Sequence, residues 1–263
     1  MLIKNIINQI EEFAPLSLQE SYDNAGLIIG NPAGDVVAAL VTLDVTETVI
    51  EEAIRKNCQL IIAHHPLIFS GIKQLTDSNE VQRCVVKAIK NDIAIYAAHT
   101  NLDNVINGVS GRMAEKLGLQ NIEVLQVTGL INLQNRVGAG VTGNLPEPIS
   151  EIEFLQKLKN VFGTSCIKHT LLRNKPVSKV ALCGGSGSSF LKDAINAQAD
   201  VYVSADFKYH DFFNAENRIL IADIGHYESE VFTKEIFYDI ITEKFPTFAV
   251  RISETNTNPI NYF

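Results

Sequence analysis

Between residues 36 and 118, apolar β-branched runs alternate with segments of helical period, and few folds accept that rhythm. "VVAALVTLD" (36–44) reads as a strand. "VTETVIEEAIRKN" follows as a helix, with Ile50, Ala53 and Ile54 on one face and Thr48 and Glu51 at capping-box spacing. "QLIIAHH" is the next strand, "NEVQRCVVKAIKN" (79–91) the next helix, "IAIYAAHT" (93–100) a strand and "GVSGRMAEKLG" (108–118) a helix. Repeated β-α-β units of this length require a largely parallel sheet with right-handed crossovers and helices on its faces.

The texture changes after about residue 125. The stretch 126–148, "QVTGLINLQNRVGAGVTGNLPEP", is rich in glycine, asparagine and proline, and its short apolar pieces predict antiparallel strands. A helix is predicted from Ser150, with Glu153 completing a capping box, then strands at "SCIKHTLLR" and "VSKVALCGG". The turn "GGSGSS" (184–189), the helix "FLKDAINAQ", the strands "DVYVSADF" (200–207) and "RILIADIGH" (218–226) and a long helix, "ESEVFTKEIFYDIITEKF", complete the chain. The predicted fold class is α/β, with two α/β domains, each a mixed or mostly parallel sheet flanked by helices.

With 263 residues, 46% of them apolar, the chain can build genuine cores. A formal charge of −8 argues against a broad nucleic-acid or anionic-membrane surface and favours small molecules or proteins as partners. Cys58, Cys84, Cys166 and Cys183 contain no C-x-x-C pair, which predicts reduced thiols packed as small apolar residues and none acting as a metal ligand. No signal or membrane-spanning pattern is recognised at "MLIKNIINQIEEF", so the expected location is the cytoplasm.

Candidate chemistry gathers at strand ends. In "LIIAHHPLIFSG" an apolar run stops at His64 and His65. In a continuing strand one of the two imidazoles would be forced into the core, so the strand is expected to end there with both rings projecting. His99 and Asp103 lie just past another strand, Asp206 and His210 past a third and His226 past a fourth. Open α/β sheets bind ligands outside the carboxyl ends of their strands. In "GHYESE" (225–230), His226 and Glu230 are one helical turn apart on one face, a chelating arrangement. Mixed imidazole and carboxylate donors suit zinc, iron or manganese. Two adjacent histidines can hardly turn onto one ion, but each can serve one ion of a pair roughly 3.5–4 Å apart, with a carboxylate bridging.

Taken singly these features are ordinary: an adjacent histidine pair or an H-x-x-x-E surface pair carries no claim alone. Their convergence with Asp103 at separate strand ends makes the metal site the better reading. His99 reads as a structural or supporting residue, and His169 as a partly buried strand histidine without function. His210 is balanced between a proton carrier or substrate contact and a local hydrogen bond. Lys208 and Tyr227 are the other candidates for proton donor. "CGGSGSS" is either a phosphate cradle or a tight β-α turn needing positive φ, and it matches no nucleotide-binding fingerprint. The loop "ESYDNAGLIIG" (20–30) has turn chemistry at Asp23, Asn24 and Gly26, and Asp44 either orients a ligand or caps the following helix.

The segments "SYDNAGLIIG", "TLDVT", "IIAHHPLIFSGIKQL", "AAHTNLDNVINGVSGRMAEKLGL", "SADFKYHD" and "ADIGHYESE" resemble, in order and over nearly the whole chain, the Nif-three-like family, whose members carry the label GTP cyclohydrolase 1 type 2 homologue. That resemblance implies a dinuclear metal centre with ligands His64, His65, Asp103, His226 and Glu230. By the same resemblance Glu230 would be the bridge, with His65 and Asp103 on one ion and His64 and His226 on the other. It also implies a discontinuous metal-binding domain, residues 1–125 plus 215–263, a smaller α/β domain at 126–214, and a toroidal homohexamer. Some relatives insert a further domain for which this chain has no room. One departure is Tyr22, where relatives commonly have tryptophan.

Two functional readings follow. In the first the chain is a metal-dependent hydrolase resembling GTP cyclohydrolase 1 type 2, acting on a nucleotide-like or phosphoester small molecule, with Glu230 and His210 as catalytic candidates. In the second it is a non-catalytic module that binds or delivers metal or engages another protein. No purine-specific motif distinguishes them.

Overall fold

The computed structural model describes residues 1–131 and 135–263. Residues 132–134, within the segment read as antiparallel strands, lie outside the described residues. In chain order the first elements are α1 (Ile3–Phe13), β1 (Gly26–Ile29), β2 (Ala38–Thr42), α2 (Glu47–Arg55), β3 (Leu60–Ala63), α3 (Glu80–Lys90), β4 (Ala94–Ala97) and α4 (Thr100–Asp103). Then come α5 (Val109–Leu117), β5 (Gln120–Ile131), β6 (Asn135–Ser150), α6 (Glu151–Phe162), β7 (Lys168–His169), β8 (Pro176–Ser186), α7 (Leu191–Asn196), β9 (Val201–Ala205), β10 (Leu220–Asp223), α8 (His226–Glu230), α9 (Thr233–Lys244) and β11 (Ala249–Ile252). Among the described residues no helix is long and apolar enough to cross a membrane.

The chain forms two compact units, and the first comprises Met1–Leu102 with Phe232–Pro259. Its sheet has the order β1-β4-β3-β2-β11. β11, β2, β3 and β4 run parallel, and β1 closes the far edge antiparallel to β4. Every residue of β2, β3 and β4 is buried, as expected of parallel strands covered on both faces. Leu40, Ile61 and Ile95 of these strands pack with Ile50 and Ala53 of α2 and Ala88 of α3 in one apolar cluster. Helix α2 starts two residues earlier than the Thr48–Glu51 spacing suggests. The side chain of Thr46 accepts the Val49 N–H, because Thr46, not Thr48, has the extended backbone of a cap.

The second unit is Asp103–Val231 with Ile260–Phe263, built on a sheet of order β5-β6-β8-β9-β10-β7. β5, β6 and β8 are antiparallel, as the glycine-rich composition of 126–148 predicts, whereas β8, β9 and β10 are parallel. The capping box of α6 is present: Ser150 and Glu153 satisfy one another's backbone N–H groups. The strand expected over 165–173 contracts to the two residues of β7, and His169 there is exposed rather than partly buried.

Asp103–Leu125 and Ala215–Val231 stand in the second unit because β5 pairs with β6 and β10 with β9. The single long helix expected after His226 is two helices, and the division between units falls at Val231 and Phe232, between them.

Candidate metal centre

In the first unit, β3 ends as its sequence demands. The backbone N–H groups of His64 and His65 both donate to the Leu43 carbonyl, at 3.1 and 3.0 Å. Two successive amides sharing one acceptor break the alternation of the strand, and the two rings lie with centroids 5.0 Å apart instead of on opposite faces. His64 is fully buried, and its Nδ1 lies 2.9 Å from the Ala98 carbonyl oxygen. A carbonyl only accepts, so Nδ1 carries the proton and Nε2 keeps the lone pair. His65 places Nδ1 2.7 Å from the Asp44 carboxylate, which fixes the same tautomer.

His99 completes a triangle of imidazoles, its ring 5.3 Å from His64 and 5.4 Å from His65. Each of the three brings a possible donor atom within 4.8 Å of the other two. The Nδ1 of His99 donates to Asp23, 2.8 Å away, and Asp23 also accepts from the Thr100 hydroxyl and N–H. Burial works to raise the Asp23 carboxyl, but the hydrogen bonds from His99 and Thr100 outweigh it and hold it well below the usual carboxylate range. Asp44 and Asp23 thus play the same part for different rings. Tyr22, beside Asp23, is 70% exposed.

In the second unit, β10 runs into Gly225, whose φ of +95° turns the chain sharply before α8. His226 opens that helix and Glu230 ends it, with Nε2 and Oε2 3.0 Å apart. The other ring nitrogen lies 2.7 Å from Asp206, which follows β9. Burial alone would lower the His226 pKa, but the carboxylates on either side of the ring push it up to about 11. A cation ligated by this ring would have to displace that proton. Asp103 brings a carboxylate oxygen within 4.8 Å of one of Glu230, and Glu230 is 3% exposed. Burial first, then the charges of Asp103 and Glu230, push the Cys183 thiol up to about 12.

The glycine-rich turn makes room for this carboxylate. Gly185 has φ +60°, and a Cβ there would collide with Glu230 Oε1 and come within 3.3 Å of His226 Cε1. Its N–H donates to the Ser229 hydroxyl at 2.9 Å, its carbonyl accepts from the Ser204 hydroxyl at 3.0 Å, and the Gly184 N–H faces the Ser110 oxygen at 3.3 Å. The Gly184 and Gly185 amides are engaged internally, and Gly185 has the positive φ that a tight β-α turn needs. The close approach was not readable in advance; "GG" ahead of a helix was its only signal. His210 stands exposed on the 3₁₀ segment Tyr209–Ala215, edge-on to the Tyr209 ring, and belongs to none of the donor groups among the described residues. All four cysteines are free thiols; Cys58, Cys84 and Cys183 are buried and Cys166 is exposed.

A family model described as Duf34/NIF3 (NGG1p interacting factor 3) matches residues 1–259. The chain belongs to the DUF34/NIF3 family. Relatives of this NIF3 chain include a Streptococcus pneumoniae protein named GTP cyclohydrolase 1 type 2 homolog, 34% identical over the full length of both chains. A Clostridium perfringens protein of the same name is 33% identical over 88% of this chain and 87% of its own. Among solved structures, a Bacillus cereus protein related to NIF3 superimposes with a TM-score of 0.93 over 100% of this chain and 99% of the other, at 26% identity. The NIF3 fold, with its two helix-flanked sheets, is therefore the fold of this chain.

The donors fit a divalent ion. In the first unit His64 and His65 hold the proton on Nδ1, the tautomer whose Nε2 can ligate, and in the second unit Asp103, Glu230 and His226 offer oxygen and nitrogen donors of the kind that zinc, iron and manganese accept.

Proposed function

We propose that this NIF3-family chain holds two divalent metal ions and uses them in hydrolysis. His64, His65, Asp103, His226 and Glu230 would hold them. The observation that carries the reading is the tautomer of the adjacent histidines: a backbone carbonyl holds one and a carboxylate the other, each leaving Nε2 for an ion. Zinc, iron or manganese at such a centre supplies Lewis acidity, lowering the pKa of water and stabilising developing negative charge.

The protein's own groups do the rest. Asp206 fixes the His226 ring, Gly185 leaves space for the Glu230 carboxylate, and His210, exposed beside Tyr209, is the candidate that passes a proton to the departing group. The name shared by the relatives points to a nucleotide-like or phosphoester substrate, and the family resemblance to a toroidal homohexamer, which light scattering on the purified protein would measure.

Elemental analysis of protein purified without an affinity tag, followed by a nucleotide and phosphoester panel with that metal restored, tests the reading. Two ions per chain are expected, with turnover lost but fold and assembly kept in Glu230→Gln. Ready ion exchange with no turnover on any substrate would instead identify a metal-delivery module, and only trace metal would end both readings.

A further inference from the structure

The C-terminal tail returns to the first unit and is held there by a buried acid. Ser253 continues the β11 edge by donating its N–H to the Val41 carbonyl at 2.9 Å. Glu52, 1% exposed, accepts from Lys56 Nζ at 2.8 Å, the Ser253 hydroxyl at 2.7 Å, the Glu254 N–H at 3.0 Å and the Thr255 hydroxyl at 2.6 Å. An anchor of this density is more than a short, half-exposed edge strand requires. Two residues beyond it, the Thr257 hydroxyl donates to Asp44 Oδ2 at 2.6 Å, while Asp44 Oδ1 faces His65 Nδ1 at 2.7 Å.

From this geometry we infer that the tail is a strap whose Thr257, acting through Asp44, fixes the tautomer and orientation of His65. Thr257 is a positioning residue, far away in sequence from the ring it serves, and 213 positions from the Asp44 through which it acts. Thr257 binds the carboxylate oxygen that does not face the ring, and so restrains the rotation of Asp44. Glu52, gripping residues 253–255, sets where Thr257 stands. Partners of this kind behind a ligating histidine change metal affinity by about 10–100-fold. The consequence for metal rests on the proposed function; the tautomer does not.

The test uses the full chain, metal-free and ¹⁵N-labelled at histidine, as wild type, Thr257→Val and Thr257→Ser, with Asp44→Ala to assign the His65 signals. Long-range ¹H–¹⁵N spectra report which ring nitrogen bears the proton. Zinc is then titrated against a chromophoric chelator. The expected result is an Nδ1–H tautomer in wild type and Thr257→Ser, a mixture in Thr257→Val, and zinc affinity about tenfold weaker in Thr257→Val only, with the melting temperature unchanged. An unaltered His65 tautomer in Thr257→Val overturns the inference, and so does a shifted tautomer with wild-type zinc affinity. If wild type takes up no zinc while Thr257→Val shifts the tautomer, the metal reading falls and the relay stands.

Discussion

Gly185 and Glu230 are in close contact: a Cβ on the glycine would collide with the carboxylate oxygen Oε1. Gly185→Ala therefore has two effects. A non-glycine residue at φ +60° costs roughly 1–2 kcal/mol, and Glu230 is displaced from beside His226. The melting temperature should drop by several degrees, and bound metal should fall in the same preparation. A variant that melts lower yet retains the wild-type metal content would remove Glu230 from the ligand set.

His64→Ala addresses the other unit. The substitution deletes a fully buried ring and takes the donor from the Ala98 carbonyl, a combined loss of about 2–4 kcal/mol from cavity and unsatisfied acceptor. At least one ion per chain should go with it. Chemical denaturation and elemental analysis on one sample read both effects, and undiminished metal in a destabilised variant would make His64 purely structural.

Much of this was legible because the physics was local. The strand end at His64 followed from two histidines and a proline closing an apolar run, and the box at Ser150 from spacing alone. Asp44 was expected to orient a ligand or to cap the following helix; Thr46 is the cap, and Asp44 lies 2.7 Å from the His65 ring. What stayed hidden depends on distant chain. β10 reads the same whether it joins the first sheet or the second, and only its pairing with β9 decides. β11 is four residues long and mostly exposed, too short to show a period. The bond between Thr257 and Asp44 spans 213 positions and leaves no mark in either neighbourhood.

Ser150→Ala removes the acceptor for the Glu153 N–H, while Glu153 loses the hydroxyl that binds its carboxylate at 2.7 Å. The expected cost is about 1 kcal/mol, confined to stability, and Ser150→Asp should recover most of it because aspartate also caps. Denaturant midpoints of the three proteins decide. A neutral Ser150→Ala would mean that α6 draws its stability from packing alone.

Glu52 predicts how acid acts on the first unit. Burial works to raise its pKa, but Lys56, Thr255, Glu254 and Ser253 together bring it from 4.5 down to about 2. Because the folded value is the lower one, the unfolded chain binds the extra proton. The stabilisation is therefore complete above pH 4.5 and drains away as pH falls from there to about 2. A fall of that size corresponds to roughly 3 kcal/mol. Other carboxylates titrate in the same window, so the readout is the difference between wild type and Glu52→Gln across denaturant melts from neutral pH downward. The gap should be widest near neutrality and close toward pH 2; a gap that stays constant with pH would show that the carboxylate's charge contributes nothing and that only its shape holds the tail.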